Sequence, residues 1–188
     1  VTRLLRTIRL DPSDTFAFEK AAEPGEWAVP GSFVYYGEDV SALKGKAKVA
    51  FRSGWLGLET FGRSTIAIVT EATADERQDA VRLLAEKLMA ELGAPDMGAA
   101  LAAADEEVTF AESCADHPDQ TLVVIHRTLG ADGDIREQFR TVKAGLPFNK
   151  DSFSRVFTFH EVEGEEEPEE HVDLARLGAA APDTGSRR

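Results

Sequence analysis

One cysteine, Cys114, occurs in the 188 residues. A lone cysteine excludes an intrachain disulfide and any metal site built on a cysteine cluster. Long apolar runs are also missing. The nearly uncharged stretches at residues 65–70 and 121–125 fall far short of the roughly 20 residues a helix needs to cross a bilayer. No membrane association is therefore expected. Charged residues break up residues 1–6, leaving no apolar core for a secretory leader, so the cytoplasm is the expected location. The chain lacks the Walker phosphate loop, G-x-G-x-x-G, G-x-S-x-G, H-E-x-x-H and paired C-x-x-C. Gly54, Gly57 and Gly62 do not have phosphate-loop spacing and read as turn residues. Neither a metal nor a cofactor is expected.

Positive charge is scarce: 21 Lys and Arg stand against 34 Asp and Glu, for a net charge of −13. Such a balance repels a phosphate backbone unless the basic residues are gathered in one place, so nucleic acid is not an expected partner. The acid is unevenly spread. Residues 161–188 carry nine acidic residues and three arginines, net −6, leaving −7 for the first 160. A hydrophobic fraction of 43% and a charged fraction of 29% fit an ordinary globular chain with one sizeable core.

The first third alternates in the strand manner. Leu4, Arg6, Ile8 and Leu10 share one face, Phe16 and Phe18 another, and residues 32–36 and 47–61 continue the pattern, punctuated by glycines. An antiparallel meander is expected there. Residues 65–69 and 121–125 are continuously apolar, as in strands covered on both faces. Between them lie two helical patterns. Thr73 and Glu76 form a T-x-x-E capping box, followed by a stripe of Val81, Leu84, Ala85, Leu88, Met89 and Leu92, with Gly93 and Pro95 as the stop. Over residues 96–115, Met97, Ala100, Leu101, Ala104, Val108 and Ala111 are spaced to face inward. Asp132-Gly133 is a hairpin signal, but Asp134 with Glu137 and the spacing of Ile135, Phe139 and Val142 favour a third helix. Residues 153–162 read as the last strand.

The expected fold is α/β or α+β: an N-terminal antiparallel meander joined to a β-α-α-β-α-β unit in one mixed sheet, with helices packed on it. Residues 1–162 form the single domain. Residues 163–188, Glu-rich and then rich in Ala, Gly and Pro, form an acidic tail that reads as a solvated segment. The stretches Leu5-Arg6-Thr7-Ile8-Arg9-Leu10-Asp11-Pro12-Ser13-Asp14 and Ala22-Glu23-Pro24-Gly25-Glu26-Trp27-Ala28-Val29 resemble an uncharacterised bacterial family. The resemblance lies mainly within the first 30 residues and implies no activity.

Candidate chemistry is sparse. Cys114 and His117, three apart near a helix end, are spaced for a thiolate and imidazole pair; a half-buried cysteine beside a helix-terminal histidine fits the same spacing. Asp132-Gly133-Asp134 resembles the start of a calcium loop, yet the remaining ligand positions are missing. If the two apolar strands are parallel, their carboxyl ends deliver Glu71 on one and His126 and Arg127 on the other, with His160 arriving alongside on a parallel last strand. That grouping suits a carboxylate or phosphate. Adjacent strand residues point to opposite faces, so His126 and Arg127 address one ligand only from the rim. Arg52 beside Trp55 marks a further ligand or partner surface. Two readings result. One is a non-catalytic protein-interaction protein with a protein partner or a homo-oligomeric state; the other is an anion-binding protein or enzyme at the strand ends.

Overall fold

The computed structural model describes residues 1–142. Its strands are β1 (Thr2–Ile8), β2 (Trp27–Val29), β3 (Trp55–Gly57), β4 (Arg63–Ser64), β5 (Ile66–Ala72), β6 (Leu122–Leu129) and β7 (Ile135–Val142). Its helices are α1 (Ser13–Ala17), α2 (Gly45–Ser53), α3 (Ala74–Leu92) and α4 (Met97–Cys114). All seven strands join one sheet in the order β4-β3-β2-β1-β5-β6-β7. Helices and an N-terminal antiparallel region thus share a single α and β fold, as the sequence suggests.

Among the described residues every paired strand runs antiparallel, so the expected parallel pairing of the two apolar strands, β5 and β6, is corrected. The reason lies between β5 and β6. Two helices in a hairpin bring the chain back to the end of the sheet it left, and the next strand must run the other way. Arg77 holds that hairpin together: Nε donates to Glu112 at 2.9 Å, Nη1 to Asp105 at 2.7 Å and Nη2 to Thr109 at 2.9 Å. The capping box at the start of α3 is present in full, with Glu76 N donating to Thr73 and Thr73 N donating to Glu76. Gly93 ends α3 in the left-handed conformation.

Several local expectations give way to tertiary context. Residues 13–17 and 45–53 are helical rather than extended, and residues 32–35 form a 3-10 turn. The expected third helix is instead β7, paired with β6 along its whole length from Leu122↔Val142 to Leu129↔Ile135. Gly133, at φ 86°, makes the tight turn between them. β5 is not covered equally on its two faces: Ala67 and Val69 are fully buried, while Ile66, Ile68 and Thr70 are half-buried. The expected strand at residues 153–162 lies outside the described residues.

Two apolar clusters make the core. One joins Leu4, Val29, Leu56 and Leu58 to the inner stripe of α3 and α4. The other gathers Leu5, Ala28, Trp55, Val69, Val123 and Ile125. Register places Leu5 opposite Ala28 and Val69, and Ala67 opposite Val123, so the second cluster lies on one face of the sheet.

That face is concave. β3 and β6 are four positions apart in the sheet, about 19 Å along a flat one at the usual strand spacing. Yet the Trp55 indole N–H donates to the Val123 carbonyl at 3.1 Å. The sheet therefore curls until its two halves face each other across Trp55.

Candidate functional site

The concave interior ends in a cluster of charge around Arg127. Arg127 lies two residues beyond Ile125 on the same face of β6, which directs its guanidinium into the space between the sheet halves. Its exposure is 0%. Nε donates to Glu137 at 2.7 Å, across the β6–β7 pair. Nη1 donates to the Phe51 carbonyl at 3.0 Å and to the Gly54 carbonyl at 2.9 Å, and Nη2 to the Pro30 carbonyl. Phe51 and Gly54 stand at the C-terminal end of α2, where unpaired carbonyls concentrate partial negative charge. The guanidinium thus caps α2 from the opposite half of the sheet.

Arg63 reaches the same carbonyl, donating from Nη1 to Gly54 at 3.2 Å, and stacks near the Tyr35 ring at 5.1 Å. Burial lowers its pKa to about 10, against the opposing interaction with Tyr35 and with the Arg127 charge adding to the effect, so Arg63 stays a cation at neutral pH. Glu107 of α4 completes the group by accepting the Gly31 backbone N–H at 2.9 Å. Burial raises the pKa of Glu107, and the neighbouring Glu137 charge raises it further, against the opposing pull of the Gly31 hydrogen bond and of Arg127. Gly31 sits at φ 73°, and a Cβ there would lie 2.6 Å from the Leu56 Cβ. The close passage of the β2–α2 loop is therefore open only to glycine. Chemically the cluster is a set of satisfied charges, with no nucleophile at its centre.

A second buried acid, Glu26, escaped sequence reasoning. It is 2% exposed. Oε1 accepts from the Glu23 N–H at 2.6 Å and the Thr60 hydroxyl at 2.7 Å, and Oε2 accepts from the Glu59 and Thr60 N–H groups at 2.9 Å each. This carboxylate ties the turn before β2 to the loop after β3. The signal available in the sequence was the glycine opposite it. A Cβ on Gly57 would stand 2.5 Å from Glu26 Oε2.

The residues expected at one strand edge are dispersed. The β5–β6 register pairs Ile66 with Val124 and Ile68 with Leu122. Glu71 therefore falls level with residue 119, whose carboxylate accepts the Glu71 N–H at 3.3 Å. Arg127 lies about eight residues from that level, roughly 27 Å along the strands. Antiparallel strands send their carboxyl ends to opposite edges, so Glu71 and Arg127 do not meet. His126 pairs with Gln138, on the face opposite that of Arg127. Arg52 is exposed on the last turn of α2 while Trp55 is fully buried, so they do not share a surface. His160 lies outside the described residues. Burial pushes the Cys114 thiol up to about 12, which keeps it protonated and unreactive at neutral pH. Among the described residues no three His, Cys, Asp or Glu side chains are grouped to hold a metal ion, and no helix is long and apolar enough to cross a membrane.

One further group departs from the sequence pattern. Met89, Leu92, Met97 and Leu101 all fall on stripes spaced for burial, yet they are 37–46% exposed. All four flank the turn of the α3–α4 hairpin.

A curled antiparallel sheet closed by an internal arginine and covered by a helical hairpin defines the class to which this chain belongs as an α and β protein. Within that class the chain belongs to a family of unknown function, DUF6505, which matches residues 2–155. No curated protein and no solved structure matches it.

Proposed function

We propose that this protein is a non-catalytic cytoplasmic binding protein that engages a protein partner through the exposed apolar end of its α3–α4 hairpin. The observation that carries the reading is the exposure of Met89, Leu92, Met97 and Leu101. Four large apolar side chains flanking the turn of one helical hairpin are more than scattered surface residues require, and grouped apolar exposure marks interaction sites. Methionine suits such a surface because its unbranched chain adapts to the partner. The alternative of an anion-binding site or enzyme around His126 and Arg127 has less support, since the Arg127 donors are committed to Glu137 and three backbone carbonyls.

The test is affinity capture from the native host with the wild type and with a Leu92→Asp, Leu101→Asp variant. Both positions are solvent-facing, so the variant should keep its circular dichroism and melting temperature. A partner retained by the wild type and depleted at least tenfold with the variant supports the reading. Equal capture by both, or a saturable thermal stabilisation by small carboxylates or phosphates that His126→Ala abolishes, contradicts it.

A further inference from the structure

The hairpin end is not the only unexplained surface. One stretch of this acidic chain carries only positive charge: Lys44, Lys46, Lys48 and Arg52 occur without a single Asp or Glu between Val40 and Leu58. Three of the seven lysines lie within those five residues, 44–48. All four cations are exposed, three of them on α2 and Lys44 at its N-cap. Among the described residues none of them has a carboxylate within ion-pair distance, whereas Arg6, Arg77, Arg82, Arg127 and Arg136 each do. Val49, 40% exposed, adds an apolar contact to the same helix.

The helix is also held firmly. Arg127 caps its C-terminal carbonyls from inside the sheet, and Phe51 is buried against Tyr35 with ring centroids 5.1 Å apart. Its outward cations are therefore presented on a rigid support.

The counterpart is in the same chain. Residues 161–170 carry seven glutamates at positions 161, 163, 165, 166, 167, 169 and 170 and no basic residue. This run lies beyond the family match, which ends at residue 155. We infer that α2 is the docking surface for the acidic segment 161–170 of its own chain. Eighteen residues lie between Val142 and Glu161, enough to span about 60 Å when fully extended. A body of this size has a radius of gyration of only about 15 Å, so the segment reaches α2 from any exit direction. Tethering raises the effective concentration of the acidic run at the helix to the millimolar range. That compensates for the weakness of individual exposed ion pairs. Docked, the segment covers these four cations, so the tail excludes acidic competitors from them.

The contact is tested on the full chain by zero-length carbodiimide coupling of lysine to glutamate, with the linked peptides read by mass spectrometry. Links from Lys44, Lys46 or Lys48 to Glu165–Glu170 are expected, with a yield independent of protein concentration. The yield should fall at least fivefold between 20 mM and 1 M NaCl, where the screening length is about 3 Å. In parallel, a labelled oligoglutamate peptide should bind at least fivefold more tightly to a full chain carrying Glu→Gln at 165, 166, 167, 169 and 170 than to the wild type. Links distributed equally to Lys20 and Lys87, links formed only between chains, or unchanged peptide binding would each overturn the inference.

Discussion

Trp55 on β3 donates its indole N–H to the carbonyl of Val123 on β6 at 3.1 Å, although three strands separate theirs in the sheet. The bond measures how far the sheet curls, and it makes Trp55 the spacer between its halves. Trp55 is fully buried, with Phe139 of β7 5.7 Å away between ring centroids.

Replacing Trp55 with Phe removes ring volume and the indole donor that reaches across the sheet. The expected cost is about 2–4 kcal/mol, read as a lower midpoint in urea by far-ultraviolet circular dichroism. A midpoint equal to wild type would show that the indole does not hold the halves together.

Gly57 is fixed by what lies opposite it rather than by its own turn. A methyl group there would stand 2.5 Å from Glu26 Oε2 and 2.9 Å from the Ala22 Cβ. Gly57→Ala should destabilise the fold by about 1–3 kcal/mol through overpacking, whereas Gly25→Ala, whose added Cβ meets nothing within 4 Å, suffers only from its φ of 90°. Comparing the two melting curves separates crowding from backbone strain.

How much of this was legible in the sequence varies with the range of the interactions. The α3 cap was readable because Thr73 and Glu76 are three residues apart and satisfy each other. The helical stripes of α3 and α4 were readable up to their shared turn, where spacing alone does not reveal that Met89, Leu92, Met97 and Leu101 are left exposed. β7 was misread because Ile135, Phe139 and Val142 satisfy a helical period while Ile135, Glu137, Phe139 and Thr141 satisfy a strand period. The open edge of β6 and the Asp132-Gly133 turn decide for the strand. Arg127 was legible as a strand-end cation but not as a clamp, because its carbonyl partners are 73 to 97 residues away.

Cys114 is expected to be inert in the folded protein. Burial pushes its thiol up to about 12, so the thiolate that reacts with disulfide reagents is scarce at pH 8. Titration with Ellman's reagent should give less than a tenth of a thiol equivalent within minutes in buffer and one full equivalent in denaturant. Rapid labelling without denaturant would revive a reactive Cys114 and His117 pair.

Glu107 should give the protein a distinctive pH response. Its folded pKa is raised above the ordinary glutamate value of 4.5, first by burial and then by the Glu137 charge. Between the ordinary and the raised value the folded state holds a proton that the unfolded state has released, so this group's contribution falls as pH rises through that window. Glu107→Gln keeps an oxygen for the Gly31 N–H and removes the titration. The variant should match wild type below the window and melt at a higher temperature above it. Parallel melting profiles from pH 4 to 8 would contradict the assignment.

The central claim is that Arg127 holds the curled sheet closed rather than binding a ligand. Equilibrium urea unfolding of Arg127→Met tests it most directly, because removing the guanidinium leaves Glu137 without its cation, takes the guanidinium donor from the Phe51 and Pro30 carbonyls, and leaves the Gly54 carbonyl only Arg63. The expected loss is about 3–5 kcal/mol, with part of it recovered in Arg127→Met, Glu137→Leu. An unfolding midpoint unchanged from wild type would contradict the clamp and return Arg127 to the candidates for ligand binding.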